Sequence, residues 1–520
     1  MEHQARPGVD RSVLATSVLI AVCVVTWGAV SPDSLGSVAD SVLGWLIRTF
    51  GWAFVLSTLA FVLLAAFLAV SRFGSIRLGA DDDVPEFRTS SWVAMMFSAG
   101  MGIGLMFYGV AEPLSHLGAP PFGSAKPATP EAARVAMDYS YFHWAFHPWS
   151  IYAVVGLALA YFTFRKGQPN LISSAFRPLI GDRVDGPAGK SIDTLAVLAT
   201  LFGSAASLGL GALQINSGLN FLWGVNQSNG LAVLVIVVLT ALFVLSAVSG
   251  VEKGIQFLSN ANMLIAILLL LFLLVVGPTT FIFDTLTEGV GAYLTSIVPF
   301  SFRTGAFGDR EWLASWTIFY WAWWISWAPF VGTFIARISK GRTIGQFVLG
   351  VILIPSGVTF VWFAILGGAA INLQLTGQAD LLATIDKPEV ALFTTLEQFP
   401  LSGVTSFVVV VLVALFFISG ADAASVVMGM LCSYGNLEPS KAVVIVFGAL
   451  TGAAAAVLLL AGGLQGLQQG AIIVAAPFLL VMLGLCVGLL KALSAEPAPA
   501  RVAPAPEVGR VPAAGKARAR

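Results

Sequence analysis

The chain has 520 residues, 57% of them apolar and 10% charged, with 27 basic and 27 acidic side chains in balance. A soluble domain carries about 25% charged residues, so this chain cannot cover a water-facing surface. It reads as an all-α polytopic membrane protein, and nothing in it points to nucleic acid.

Twelve stretches reach the roughly 20 apolar residues that a membrane-spanning helix needs, whereas barrel strands would give short alternating runs. They centre near 13–31, 51–71, 90–111, 139–163, 192–222, 230–249, 255–277, 312–337, 345–371, 404–428, 440–462 and 470–492. A short N-terminal tail (1–12) precedes a twelve-helix domain (13–493). The first span lacks a small-residue cleavage site and is expected to be a retained anchor. Residues 73–89 form a charged connection. Residues 280–300 space Phe283, Leu286, Val290, Tyr293 and Ile297 by three or four, which predicts an amphipathic helix in the interface. The tail 494–520 is basic and rich in Pro and Ala, and is expected to be disordered. It is either a topology-setting tail or a lipid- or ion-sensitive regulator.

Basic residues set the orientation. With an even number of spans and both termini in the cytoplasm of a cell (plasma) membrane protein, only Arg48, Lys126, Arg134, Arg303, Arg310 and Lys387 of the 27 fall outside. Cys23, Cys432 and Cys486 all lie in apolar spans and are expected to be small buried hydrophobes without disulfides. His143 and His147 stand four apart without an evident third ligand, so no transition metal and no organic cofactor is expected. No nucleophile–base set suggests an enzyme.

The third and eighth spans read as interrupted, the third by Gly100, Gly102, Gly104 and Gly109, the eighth by a tryptophan run followed by Pro329. Broken segments at corresponding positions of two halves, here about 90–277 and 312–492, point to a transporter binding site. At about 100° per residue, Trp323, Trp324 and Trp327 share one side of the eighth helix, and Trp144, Trp149 and Tyr152 share one side of the fourth. Converging aromatic faces make a cage for a quaternary ammonium. The middles of these spans hold no Asp or Glu, with Glu112 at the outer end of the third. The ligand is therefore expected to bring its own carboxylate, received by backbone N–H groups freed between Gly100 and Gly104. Arg337 and Asp422 are a candidate inner-gate pair.

The runs GMGIGLMFYGVAEP, HWAFHPWSIYAVVGLALAYFTFRKGQPNLISSAFRPLIG, SLGLGALQINSGLN and WTIFYWAWWISWAPFVGTFIARISKGRTI resemble the betaine/choline/carnitine transporter family from about residue 13 to 490. The resemblance implies a LeuT-like inverted repeat of five plus five helices behind two leading helices, a homotrimer, and alternating access. It implies a cage of Trp144, Trp149, Tyr152 and Trp324, with Gly100, Met101, Gly102 and Gly104 beside the substrate, and a path or gate at Trp327 and Phe330. The glycine at 104 is similar to betaine-type members, since choline-type members carry Asp there. A sodium ion is implied as coupling ion, at positions matching Ser98, Met101, Phe416 and Ser419, with a second hydroxyl at Ser204, although Gly420 replaces the expected neighbouring hydroxyl. The expected function is sodium-coupled import of glycine betaine or a related osmoprotective solute. The alternatives are proton-coupled transport or exchange of choline, carnitine or ectoine, or a transporter-like sensor.

Overall fold

The computed structural model describes residues 8–100, 102–249 and 252–497. Met101, the outermost N-terminal residues and most of the C-terminal tail lie outside the described residues. The described chain is helical, with one isolated bridge between Arg77 and Thr343. In order the helices are α1 (Arg11–Val30), α2 (Pro32–Val70), α3 (Thr89–Gly100), α4 (Ile103–Gly118), α5 (Pro130–Trp144), α6 (Phe146–Ala160), α7 (Arg177–Ile180), α8 (Pro187–Trp223), α9 (Asn229–Ser249), α10 (Glu252–Val276), α11 (Thr279–Ser301), α12 (Arg310–Leu313), α13 (Phe319–Arg337), α14 (Ile344–Leu375), α15 (Pro388–Glu397), α16 (Ser402–Leu431) and α17 (Lys441–Ser494). Each of the twelve expected stretches falls on helix. Among the described residues seven helices, taking the α5–α6 run as one, are long and apolar enough to cross a membrane alone, and a bent pair raises this to eight. The other stretches are shorter or broken helices.

Helix α17 carries two expected spans. Its backbone leaves helical geometry at Gly462 and Gly463, the latter at φ +57°, a left-handed value that glycine adopts at no steric cost. A Cβ at Gly466 would lie 2.4 Å from the carbonyl oxygen of Leu458, so the two halves fold back on one another. Helix α11 is bent 111° from α10, as expected of a helix lying across the bundle. Tyr293 is buried on its packed face, while Phe283 is exposed and departs from the expected stripe.

Composition of each helix matches its place. Helix α8 is 94% buried over its apolar window, whereas α1 is 22% buried. A helix apolar all round belongs in the centre or against lipid, and these two occupy those positions. Cys23, on α1, is exposed rather than buried, while Cys432 and Cys486 are buried as expected.

Two long-range clasps close the end that carries both termini. The 73–89 connection lies against the turn after α13, with hydrogen bonds from Leu78 N to Arg342 O (2.9 Å), Gly341 N to Leu78 O (2.8 Å) and Ile344 N to Ile76 O (2.9 Å). The Arg342 guanidinium lies 3.9 Å over the ring of Trp92. The second clasp joins the two halves of the chain at Glu496, beyond the end of α17. Its carboxylate accepts hydrogen bonds from Tyr161 Oη (2.8 Å) and Arg165 Nη2 (3.0 Å), with Lys166 Nζ at 2.5 Å. Glu496, in the segment expected from sequence to begin the tail, is thus buried and paired, while Ser494, Ala495 and Pro497 around it are exposed.

Burial alone would raise the Glu496 carboxyl, but the hydrogen bonds from Arg165, Lys166 and Tyr161 outweigh it and hold it down at about 2. A depressed carboxyl contributes stability in full above its unfolded pKa of about 4.3 and loses it as pH falls towards the folded value. Glu496→Gln is expected to destabilise the detergent-solubilised protein by about 1–3 kcal/mol at neutral pH. Thermal unfolding should show this gap constant from pH 7 to 5 and narrowing as pH falls below the ordinary carboxylate range.

Candidate substrate and ion site

The site is organised by a break in the fourth span. Helix α5 ends at Trp144 and α6 begins at Phe146, with Ala145 at φ −98°, ψ −112° between them. The cause is local. Pro148 has no N–H to give to the carbonyl four residues back, which is that of Trp144. The freed groups find side-chain partners instead. Trp324 Nε1 donates to His143 O (3.1 Å), and Thr359 Oγ1 donates to Trp144 O (3.3 Å). The expectation of one continuous fourth helix is corrected here, and Trp144 sits on a different helix from Trp149 and Tyr152. The eighth span is also unlike its expectation. Helix α13 runs unbroken through the tryptophans and Pro329, with a π turn at Ala314–Ile318 before it.

The four expected cage residues do meet. Trp144 packs edge-on against Trp324 at 4.8 Å between centroids, Tyr152 lies 6.3 Å from Trp324, and Trp149 lies 5.5 Å from Tyr152. All four are buried. These contacts join the four rings into one packed aromatic cluster. Their neighbours are packing. Trp323 stacks on Trp324 (4.8 Å, 13°) and donates to Ser207 Oγ, while Trp321 stacks on His147 (5.1 Å, 16°).

Glu112 was placed by sequence at an outer helix end, but it is fully buried behind the cage. Its Oε2 accepts from Trp144 Nε1 (2.7 Å) and Tyr320 Oη (2.5 Å), and its Oε1 faces His143 Nδ1 (2.6 Å) and His116 Nε2 (3.3 Å). Glu112, His116 and His143 present ligand atoms within 4.8 Å of one another. The third ligand that His143 seemed to lack is therefore present, although His147 points elsewhere, to Ser301 Oγ at 2.9 Å. Both carboxylate oxygens and both His143 nitrogens already hold hydrogen bonds, the latter completed by Thr317 Oγ1 at 2.9 Å. The cluster is a hydrogen-bond hub in this state.

The third span is broken as expected, between the end of α3 at Gly100 and the start of α4. Gly102 is extended (φ −167°, ψ −177°) and leaves the first N–H groups of α4 without a side-chain cap. Gly104 is where two rings press inward, since a Cβ there would lie 2.8 Å from Trp323 and 2.9 Å from Trp144.

Beside this N-terminus lies a cavity of about 160 Å³, lined by Gly102, Ser204, Asn262, Trp327, Phe330, Phe416, Ser419 and Gly420 among others. It unites the expected path residues Trp327 and Phe330 with the expected ion positions Ser204, Phe416 and Ser419. Met101 lies outside the described residues, as does the side chain of Ser98. The sequence reading missed Asn262. Its Nδ2 approaches Ser419 Oγ at 3.4 Å, and its buried Oδ1 has no hydrogen-bond partner. An amide at the edge of the apolar run of α10 is the signal that marks it. The expected Arg337–Asp422 pair is not formed. Arg337 bonds Glu86 (3.1 Å) on the 73–89 connection, and Asp422 is buried on α16.

Residues 12–498 match the family described as BCCT, betaine/carnitine/choline family transporter. The chain is 49% identical over 488 residues to the glycine betaine transporter OpuD of Bacillus subtilis, covering 93% of this chain and 94% of that one. It is 41% identical to the betaine/ectoine transporter LcoP of Corynebacterium glutamicum, over 95% of this chain and 79% of that one. It is 38% identical to the ectoine/hydroxyectoine transporter of Virgibacillus pantothenticus, over 93% and 97%. A site built of aromatic faces, a bare helix N-terminus and a hydroxyl-lined cavity thus stands in a chain similar to carriers throughout its length. The chain belongs to the betaine/carnitine/choline (BCCT) family of membrane transporters.

Proposed function

We propose that this protein imports glycine betaine, or a closely related zwitterionic solute, across the plasma membrane by alternating access driven by sodium. The observation that carries the substrate is the convergence of Trp144, Trp149, Tyr152 and Trp324 next to the uncapped N-terminus of α4. The rings suit a trimethylammonium group, and the helix end suits a carboxylate. The printed activities of the relatives support the same chemistry. The basic end that carries both termini is the cytoplasmic one on this reading, and the assembly is a homotrimer by family likeness.

Sodium coupling rests on the cavity beside the cage. Ser204, Ser419 and the free Oδ1 of Asn262 offer hard oxygen donors close to the α3–α4 break. Gly420 lacks the neighbouring hydroxyl, but a Cβ there would meet nothing within 4 Å. The decisive test is labelled betaine uptake into proteoliposomes with sodium and proton gradients imposed separately. Uptake should follow the sodium gradient, and Gly420→Ser should lower the half-saturating sodium concentration about threefold to tenfold. Uptake driven by protons alone would reject the coupling.

Trp324→Leu removes one cation–π contact worth about 2 kcal/mol when desolvated, which corresponds to roughly 30-fold weaker betaine binding. Calorimetric titration of the purified variant measures this directly, and unchanged affinity would reject the cage. Gly104→Val places methyl groups where Trp144 and Trp323 already stand. It is expected to cut betaine affinity by at least about tenfold while the folded protein remains trimmed to its native size on gel filtration.

A further inference from the structure

We propose that Glu112 is a positioning residue for the ammonium site and its fixed counter-charge, acting on the substrate through the rings it holds rather than by contact. The carboxylate binds the donor edges of two rings at once, through Trp144 Nε1 and Tyr320 Oη. Trp144 is a wall of the cage. Tyr320 stacks on Trp324, the opposing wall, at 5.8 Å and 14°, and meets Trp144 at 5.4 Å.

The charge state follows from the tautomers of the two histidines. In the tautomer where Thr317 Oγ1 donates to His143 Nε2, His143 Nδ1–H is left to donate to Glu112. His116 Nε2–H donates as well, so its Nδ1 is a bare acceptor, in keeping with the absence of any partner there. With these tautomers four donors converge on one carboxyl group, two of them Trp144 Nε1 and Tyr320 Oη. A protonated carboxyl would set its own hydrogen against one of them, so the arrangement suits the ionised form. Among the described residues the ion-pair partners of Glu112 are His116 and His143 alone, with no Lys or Arg. An ionised Glu112 would thus face no permanent cation among them.

An aromatic ring is negative on its face and positive at its edge. An anion bonded to the edge N–H or O–H pushes electron density toward the face, where a cation sits. In a dry interior this influence is screened far less than in water. Glu112 thereby supplies the counter-charge that the middles of the spans lack, while staying behind the rings where it cannot repel the substrate's own carboxylate.

This inference rests on reading the cage as an ammonium site. The test compares binding of glycine betaine with binding of 3,3-dimethylbutanoate, a carboxylate of the same shape in which carbon replaces the ammonium nitrogen. Purified wild-type protein should prefer betaine. Glu112→Gln should weaken betaine about tenfold or more and leave dimethylbutanoate within about threefold, collapsing the preference. Glu112→Asp, which keeps the charge, should retain most of that preference. Equal weakening of both ligands by Glu112→Gln would reduce Glu112 to a scaffold and overturn the proposal, as would no weakening. If Glu112→Gln does not fold, Tyr320→Phe carries the test. It cuts one of the two links and should lower the betaine preference about twofold to fivefold, and an unchanged preference overturns the proposal. A wild type that does not prefer betaine would remove the cage reading and this one together, whereas a normal wild-type preference that survives Glu112→Gln removes this one alone.

Discussion

The arrangement depends on one constraint: a backbone carbonyl inside a bilayer has no water to turn to and must find a donor within the protein. Pro148 leaves the carbonyl of Trp144 without its helical donor, and the break at Ala145 also frees that of His143. The donors that arrive are Thr359 Oγ1 and the indole N–H of Trp324. Satisfying the backbone therefore fixes a cage ring, and the cage forms where the helix fails. Each indole needs a partner for its N–H when buried, so the hydrogen bond that meets the need of the carbonyl meets the need of the tryptophan as well.

The same accounting separates the crowded aromatics of α13. Trp324 answers the fourth-span break, Trp323 donates to Ser207 on α8, and Trp327 donates to the carbonyl of Gly203, also on α8 (2.9 Å). Three neighbouring indoles thus bind three different places, and each bond aims its ring. Trp321 instead packs flat against His147 in the interior. The run is dense because one helix face serves the cage, the cavity and the packing between them.

Much of this was legible in the residues. Low charge and long apolar stretches called for helices in a membrane, and each stretch falls on helix, in some cases broken. The glycines of the third span marked a real break, and the aromatics of the fourth and eighth spans do meet. What was not legible follows from the limits of helical geometry. Angles computed along an ideal helix placed Trp144, Trp149 and Tyr152 on one face, but Trp144 belongs to the segment before Ala145. Pro329 looked like an interruption, yet α13 continues through it, with Thr333 Oγ1 donating to its carbonyl (2.7 Å). Pro148 was the proline that mattered, because its effect is seen only once the carbonyl at 144 is followed to a partner on another helix. Glu112 and Asn262 were invisible for a related reason. A polar residue beside an apolar run states a demand for partners, but not which distant elements meet it.

Helix α13 connects the two halves of the site mechanically. Trp324 on it is tied to the fourth-span break, and one turn further Trp327 and Phe330 line the cavity that holds Asn262 and Ser419. A displacement of α13 relative to α8 would alter the hydrogen bonds of Trp323 and Trp327 together, since both end on α8. Their acceptors, Ser207 and Gly203, are one helical turn apart, so the two bonds act as a pair of rungs. Such paired contacts favour discrete arrangements over gradual sliding, because losing one rung strands a buried donor and an intermediate register satisfies neither. The bonds that satisfy the buried indoles therefore also fix the register of α13 against α8.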